Sequence, residues 1–333
     1  LCTAQQEMRE VKLMQNKTFL KQEHRAFLRH QSDVIFIYLF MFLMCAVVAL
    51  SEKSFLSAVN IRNVINASVS LCAASFGQLI IVLLGGVDLS VGAIISAANV
   101  ICASLMTDTP YGWVAAVVVS LAFGLVAGLC NGLLVAKANQ QAIIATLATS
   151  TIISGIALLI MPTPGGYIHS GFAKFMNRGC SKLMPLICIL AMSILIWLLL
   201  NRTSFGRQLF AVGGNEQAAK SVGIRTERVK LLAFVLAGAM SALAGIFIST
   251  YITSGDPVVG SQYSQRTITA AVVGGASLAG GKGSVVGCLA GVLIIGIINN
   301  MLNLLGVSSY YQYISQGIVL IIALALGAIK TKR

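Results

Sequence analysis

Hydrophobic and polar positions in this chain come in blocks rather than in alternation. Long apolar runs cover 34–50, 64–84, 113–135, 142–161, 185–200, 231–253, 285–305 and 311–329, and shorter ones reach Met106 and cover 267–278. At 1.5 Å per residue, about 20 helical residues cross a hydrocarbon core of about 30 Å. Continuous apolar runs are a poor fit to the period-two strands of an outer-membrane barrel. The pattern predicts an all-α, polytopic membrane protein with about ten transmembrane helices, or eight or nine if a short segment is re-entrant. It divides the chain into an N-terminal arm at 1–33, a transmembrane region at 34–329 and a tail at 330–333.

Composition agrees: 57% of residues are hydrophobic, only 10% are charged, and the mean hydropathy is +0.88. Soluble domains carry about 25% charge. The 32 Gly against 5 Pro suit closely packed membrane helices, and Gly124-x3-Gly128 and Gly287-x3-Gly291 read as faces where helices touch. The net charge of +13 brackets apolar spans and forms no continuous basic face, so a nucleic-acid partner is not expected. The eight Cys are scattered without a CxxC and read as buried small hydrophobes, and the three His form no ligand cluster. No metal site is expected.

Charge changes the picture most at 201–230, the longest polar interruption, where six Lys or Arg stand against Glu216 and Glu227. With the N-terminus inside and ten crossings, inside segments hold 17 Lys or Arg and outside segments 6. That bias places 201–230 and both termini in the cytoplasm. Within the loop, a short helix is expected at 216–221, capped by Asn215 and ended at Gly223. Another polar segment, 254–266, is expected outside.

Asp88 is the one acid at the edge of an apolar run, between Gly86 and Ser90-Val91-Gly92. A carboxylate there either caps a helix by accepting the Ser90 or Val91 amide, or belongs to a proton or cation relay. The cap is favoured, because no second embedded acid accompanies it. Neutral polar residues such as Gln78, Asn99, Asn131, Thr146, Thr149, Asn299 and Asn300 read first as helix–helix hydrogen bonds, and together as a lining for an uncharged polar solute. The chain has no GxxxxGK[ST] phosphate loop and no Ser-His-Asp arrangement. A weak internal repeat pairs Gly85-Gly86-Val87-Asp88-Leu89 with Gly274-Gly275-Ala276-Ser277-Leu278, and Asn131-Gly132-Leu133-Leu134 with Asn299-Asn300-Met301-Leu302.

Several passages resemble the permease subunits of bacterial ribose-type ATP-binding-cassette importers for monosaccharides. They are Gly77-Gln78 with Gly85-Gly86-Val87-Asp88-Leu89-Ser90-Val91-Gly92, Asn131-Gly132-Leu133-Leu134-Val135 with Ile144-Ala145-Thr146-Leu147-Ala148-Thr149, and Thr203-Ser204-Phe205-Gly206-Arg207 with Ala211-Val212-Gly213-Gly214-Asn215. The match covers about 55–329 and departs where Ala142-Ile143 stands in place of the family's usual Pro. The resemblance implies a type II-like importer fold in the bacterial inner membrane, paired with a second permease copy or paralogue. It implies two cytoplasmic ATP-binding subunits or halves, which would use ATP and Mg, and an external sugar-binding protein. This chain itself would bind no cofactor and would not be an enzyme. The resemblance assigns Arg207, Gly214, Asn215, Glu216, Ala219, Gly223 and Arg225 to ATPase coupling. It assigns Gln78, Asp88, Ser90, Asn131, Thr146, Thr149, Asn299 and Asn300 to the route or its structural signature. Other permeases of this kind carry nucleosides, furanone-type signals or amino acids, and an ion-coupled carrier is the rival class.

Overall fold

The computed structural model describes residues 38–331 except 40, 44, 51, 53, 110 and 178–182. The arm 1–33, Arg178 and Lys182 of the basic segment 162–184, and the last two residues of the tail lie outside that set. Twelve helices follow one another: α1 Ala58–Leu83, α2 Val91–Leu105, α3 Gly112–Ala136, α4 Ala142–Ile160, α5 Ser170–Asn177, α6 Met184–Arg202, α7 Ser204–Gly214, α8 Glu216–Ser221, α9 Thr226–Ile252, α10 Tyr263–Val273, α11 Val285–Leu304 and α12 Ser309–Thr331. A helical stretch at 45–50 precedes them and packs Val48 against Ile294 and Ile297 of α11. The described residues contain no strand. Of these helices α1, α3, α4, α6, α9 and α11 are long and apolar enough to cross a membrane.

Burial sorts the helices into a centre and a shell. α1 and α9 are mostly buried, and α2 is buried over nearly its whole length. α3, α4 and α6 expose large apolar side chains such as Val118, Ile152 and Leu195. Helices apolar on every side belong in a core or in lipid. The small-residue faces work as the spacing predicts. A Cβ at Gly128 would lie 2.3 Å from the Phe234 carbonyl oxygen of α9, and one at Gly291 would lie 2.0 Å from the Ala270 carbonyl oxygen of α10. Of the cysteines, Cys72, Cys102 and Cys288 are buried as expected, but Cys130 is exposed.

Three expected loops contain helix. α1 starts at Ala58, earlier than the apolar run, because Ser57 accepts the Asn60 amide (3.2 Å) and caps it, so Arg62 is helical. The 162–184 segment holds α5, and 201–230 holds α7, α8 and the first turn of α9.

The larger difference concerns 254–266, which is not a free loop. It runs back along α2: Gly255 pairs with Gly165, Asp256 N–H donates to Asn99 Oδ1 (2.6 Å), and Gly260 N–H donates to Ser96 Oγ (2.9 Å). Ser264 Oγ then accepts Gly92 N–H and donates to the Leu89 carbonyl, both at 3.0 Å. Non-helical backbone is tolerated at membrane depth where protein groups satisfy it. Here the buried Asn99 and Ser96 do so. α10, 11 residues long, spans only about 16 Å. α10 with its lead-in of successive turns, and α2 with the non-helical 84–90, therefore form two part-helical segments side by side and antiparallel.

Contacts group the connections at two ends. Segments 84–86, 142, 213–216 and 279–283 meet at one end, while 103, 161–169 and 254–255 meet at the other. The charge count sorts the same segments the same way, with 254–255 among the outside set.

Candidate functional site

The helix break after α1 gathers most of the residues assigned to the route. Asp88, 1% exposed, accepts Ser90 N–H (2.8 Å) and Ser90 Oγ–H (2.6 Å) at Oδ1. This is an Asx turn leading into α2, with Ser90 itself at the cap position. Asn131 of α3 donates to Ser90 Oγ (2.7 Å), and Thr149 of α4 donates to Asn131 Oδ1 (2.6 Å). Thr146 Oγ1 accepts Leu89 N–H (3.0 Å). Gln78 of α1, with its amide oriented to satisfy both groups, donates to the Asp88 carbonyl (3.0 Å) and accepts Asp88 N–H (3.2 Å). Six residues from four chain segments thus form one network around the break. Buried polar groups that satisfy one another specify a single arrangement. Asp88 accepts the Ser90 amide as the cap reading expects, but as an Asx turn one step before the helix, with Ser90 rather than Asp88 at the cap position.

Asn299 and Asn300 lie elsewhere. Asn300 exchanges two amide hydrogen bonds with Asn60 near the start of α1 (2.9 and 2.8 Å). Asn299 accepts from Gln316 of α12 (3.1 Å). Neither joins the Asp88 network.

The residues assigned to coupling lie on α7 and α8 or between these helices and α9. Asn215 Oδ1 accepts Ala218 N–H (3.0 Å), which starts α8 as the sequence predicts. Gly223 ends it at φ +85°, a conformation that favours glycine. Ala219 is 3% exposed and seats α8 on the core. Glu216 ties α8 to α9 through Lys230 Nζ (2.7 Å) and Thr226 Oγ1 (3.3 Å), and to Lys220 within α8 (3.0 Å). Partial burial would raise the Glu216 pKa, but the hydrogen bonds and charges of Lys230 and Lys220 outweigh it and leave the carboxyl below its ordinary value. Arg207, Gly214, Asn215, Gly223 and Arg225 are exposed, with Val222 standing 77% exposed among them.

Sequence reasoning missed what lies beneath. At Gly213 a Cβ would stand 1.8 Å from the Leu83 carbonyl oxygen and 2.9 Å from Gly281 N. Gly281 N–H donates to that same carbonyl (2.9 Å), and a Cβ at Gly280 would lie 2.5 Å from the Gly213 oxygen and 2.8 Å from Gly85 N. The end of α7, the end of α1 and the turn after α10 therefore meet backbone to backbone. The glycine pairs at 85–86, 213–214 and 280–281 were the visible signal, but nothing local joins them. The helix-ending turn at Gly85 recurs at Gly275, each with positive φ and an amide bond to the third residue back, one residue out of register with the proposed repeat.

The family profile described as branched-chain amino acid transport system / permease component matches residues 60–324. The chain is 40% identical over 299 residues to ribose import permease protein RbsC of Bacillus subtilis (strain 168), covering 88% of this chain and 92% of that protein. It is 34% identical over 314 residues to L-arabinose transport system permease protein AraH of Escherichia coli (strain K12), covering 91% and 92%. It is 33% identical over 314 residues to galactose/methyl galactoside import permease protein MglC of Haemophilus influenzae, covering 88% and 94%. No solved structure matches.

Proposed function

The chain belongs to the branched-chain amino acid transport system / permease component family, and on that premise we propose that it is the membrane-spanning subunit of an ATP-binding-cassette importer for a monosaccharide. The observation that carries this reading is similarity over nine-tenths of the chain to permeases named for ribose and L-arabinose, with one named for galactose nearly as complete. Those relatives outweigh the amino acid in the family description. They disfavour a nucleoside, a furanone-type signal or an ion-coupled carrier.

Two copies, or this chain and a paralogue, frame the route in the bacterial inner membrane. The end bearing α7 and α8 faces the cytoplasm, with the termini on that side. Two ATP-binding subunits dock there and use ATP and Mg, and a binding protein delivers sugar at the other end. Ten traverses are supported by the alternating ends of successive segments, two of them part helix and part non-helical turns. ATP-driven closure of the partner pair moves α8, and the two permease copies rock between outward-open and inward-open states. Arg207, Lys220 and Arg225 offer cations to acidic groups on the ATPase around exposed Val222.

The test is reconstitution in proteoliposomes with the ATPase and binding protein of the same system. ATP-dependent uptake of labelled ribose, arabinose or galactose is expected, with none when the ATPase is omitted. Uptake by this chain alone under an ion gradient would favour the carrier instead. A binding protein that took only amino acids in calorimetry would remove the sugar.

A further inference from the structure

Arg266 belongs neither to the coupling surface nor to the Asp88 network. It lies in the first turns of α10, just after the turns of 257–262 end, and seven residues, roughly 10 Å, before α10 stops. Its Nε donates to Gln316 Oε1 of α12 (3.2 Å), and another guanidinium N–H donates to Gln262 Oε1. Its Cζ stands 5.9 Å from the centre of the Tyr263 ring. Gln316, 4% exposed, passes the contact on to Asn299, and Gln262 donates to the Tyr313 hydroxyl. Asn299, Gln316 and Thr269 line a small cavity with Ile295, Ile298 and Val319. Among the described residues no carboxylate forms an ion pair with Arg266.

A cation at membrane depth is costly and marks an interior or water-lined position with a task. Broken segments are where transporters place such positions. A guanidinium has five N–H donors and no acceptor, and two donors are engaged by side chains among the described residues. Amide partners hold it without neutralising it, whereas an ion pair would tie up its fork. Sugar hydroxyls both donate and accept, which suits one donor-only group ringed by amides.

We propose that Arg266, with Gln262, Gln316 and Asn299, forms an intramembrane recognition point that hydrogen-bonds the hydroxyls of a neutral monosaccharide during passage. This rests on the importer reading above. Contacts on a route must be strong enough to admit the solute and weak enough to release it. Neutral hydroxyls meet that condition better than an anionic sugar would.

In the reconstituted complex, Arg266→Ala is expected to lower ATP-driven uptake of the best-carried of ribose, arabinose and galactose about tenfold or more, the size of a lost charge-assisted hydrogen bond. ATP hydrolysis stimulated by the binding protein should stay within about twofold. Gln316→Glu is near-isosteric and sets a carboxylate on the guanidinium. It should lower uptake similarly, and it serves where Arg266→Ala does not fold. Wild-type uptake in either variant overturns the proposal. So does loss of the second copy from purified Arg266→Ala complex, which would assign Arg266 to a carboxylate across the copy interface. An unmutated complex that carries none of the three sugars would instead overturn the importer reading.

Discussion

Alanine at Gly213 and alanine at Gly214 add the same methyl group to neighbouring residues, with opposite expected consequences. At Gly213 the new Cβ would stand 1.8 Å from the Leu83 carbonyl oxygen. Ordinary contacts begin near 3.5 Å, so α7 must withdraw by about 1.5 Å. Overpacking of this kind costs about 1–3 kcal/mol. Losing the adjacent bond from Gly281 N–H to that carbonyl adds about 1 kcal/mol. The junction between α7, α1 and the turn after α10 is thus weakened by roughly 2–4 kcal/mol. At Gly214 nothing lies within 4 Å of the new Cβ, and the residue is helical and exposed. Alanine there stabilises by about 0.4–1 kcal/mol through the unfolded chain. The assay is sugar taken up per ATP hydrolysed in proteoliposomes. Gly213→Ala should lower that ratio at least tenfold with ATP hydrolysis retained, while Gly214→Ala should leave it unchanged. Two alanine variants with the same ratio, whether both normal or both impaired, would refute a mechanical role for the junction.

Acid should loosen α8. Glu216 has its pKa lowered in the folded protein, so its contribution is present above the ordinary carboxylate pKa and is lost as pH falls through the lowered value. Limited proteolysis of 201–230 should increase at acid pH in the wild type and be pH-independent in Glu216→Gln. Asp88→Asn keeps an acceptor for Ser90 N–H and Oγ–H, so uptake should stay within about twofold, whereas Asp88→Ala leaves those donors unpaired at about 1–3 kcal/mol each and should lower thermal stability. An inactive but stably folded Asp88→Asn would restore the ion-relay reading. Gly223→Ala meets no atom within 4 Å but must hold φ near +85°, at about 1–2 kcal/mol. It should raise proteolysis at the end of α8, and an unchanged cleavage rate would show that this turn does not limit α8.

What was legible in the sequence was local. α8 reads correctly to the residue because its start and stop lie in adjacent side chains, Asn215 and Gly223. The long spans are legible from apolar length alone. The fate of 254–266 was not, because its polar backbone is satisfied by Asn99 and Ser96, more than 150 residues away. Read alone, a polar segment with Asp256 and Arg266 belongs in water; paired with α2, it belongs inside. The route residues divide on the same principle. Gln78, Asp88, Ser90, Asn131, Thr146 and Thr149 lie close to one helix break and were found together. Asn299 and Asn300, chosen by likeness to Asn131, are held by Gln316 and Asn60 at other places. The charge of Arg266 was visible, but its depth was not.

These distances bear on how motion leaves α8. Side chains fasten it to α9 at Glu216–Lys230, and the backbone of Gly213 fastens the helix before it to the end of α1 and the turn after α10. α9 is in turn locked against α3, where a Cβ at Gly238 would lie 2.2 Å from the Gly124 carbonyl oxygen. Contacts this close leave no room for α7 or α8 to slide independently. Gly213 therefore supplies proximity rather than flexibility, since any hinge there would first have to break the junction. In the proposed mechanism, displacement of α7 and α8 would carry α1, α9 and α10 together, as rigid-body rocking rather than local bending. Both part-helical segments are reached by that movement, the one at 84–105 through the end of α1 and the one at 254–273 through the turn after α10. Arg266 and the Asp88 break sit in those two segments, so in the proposed mechanism a push at α8 would reach the place where the solute would be held.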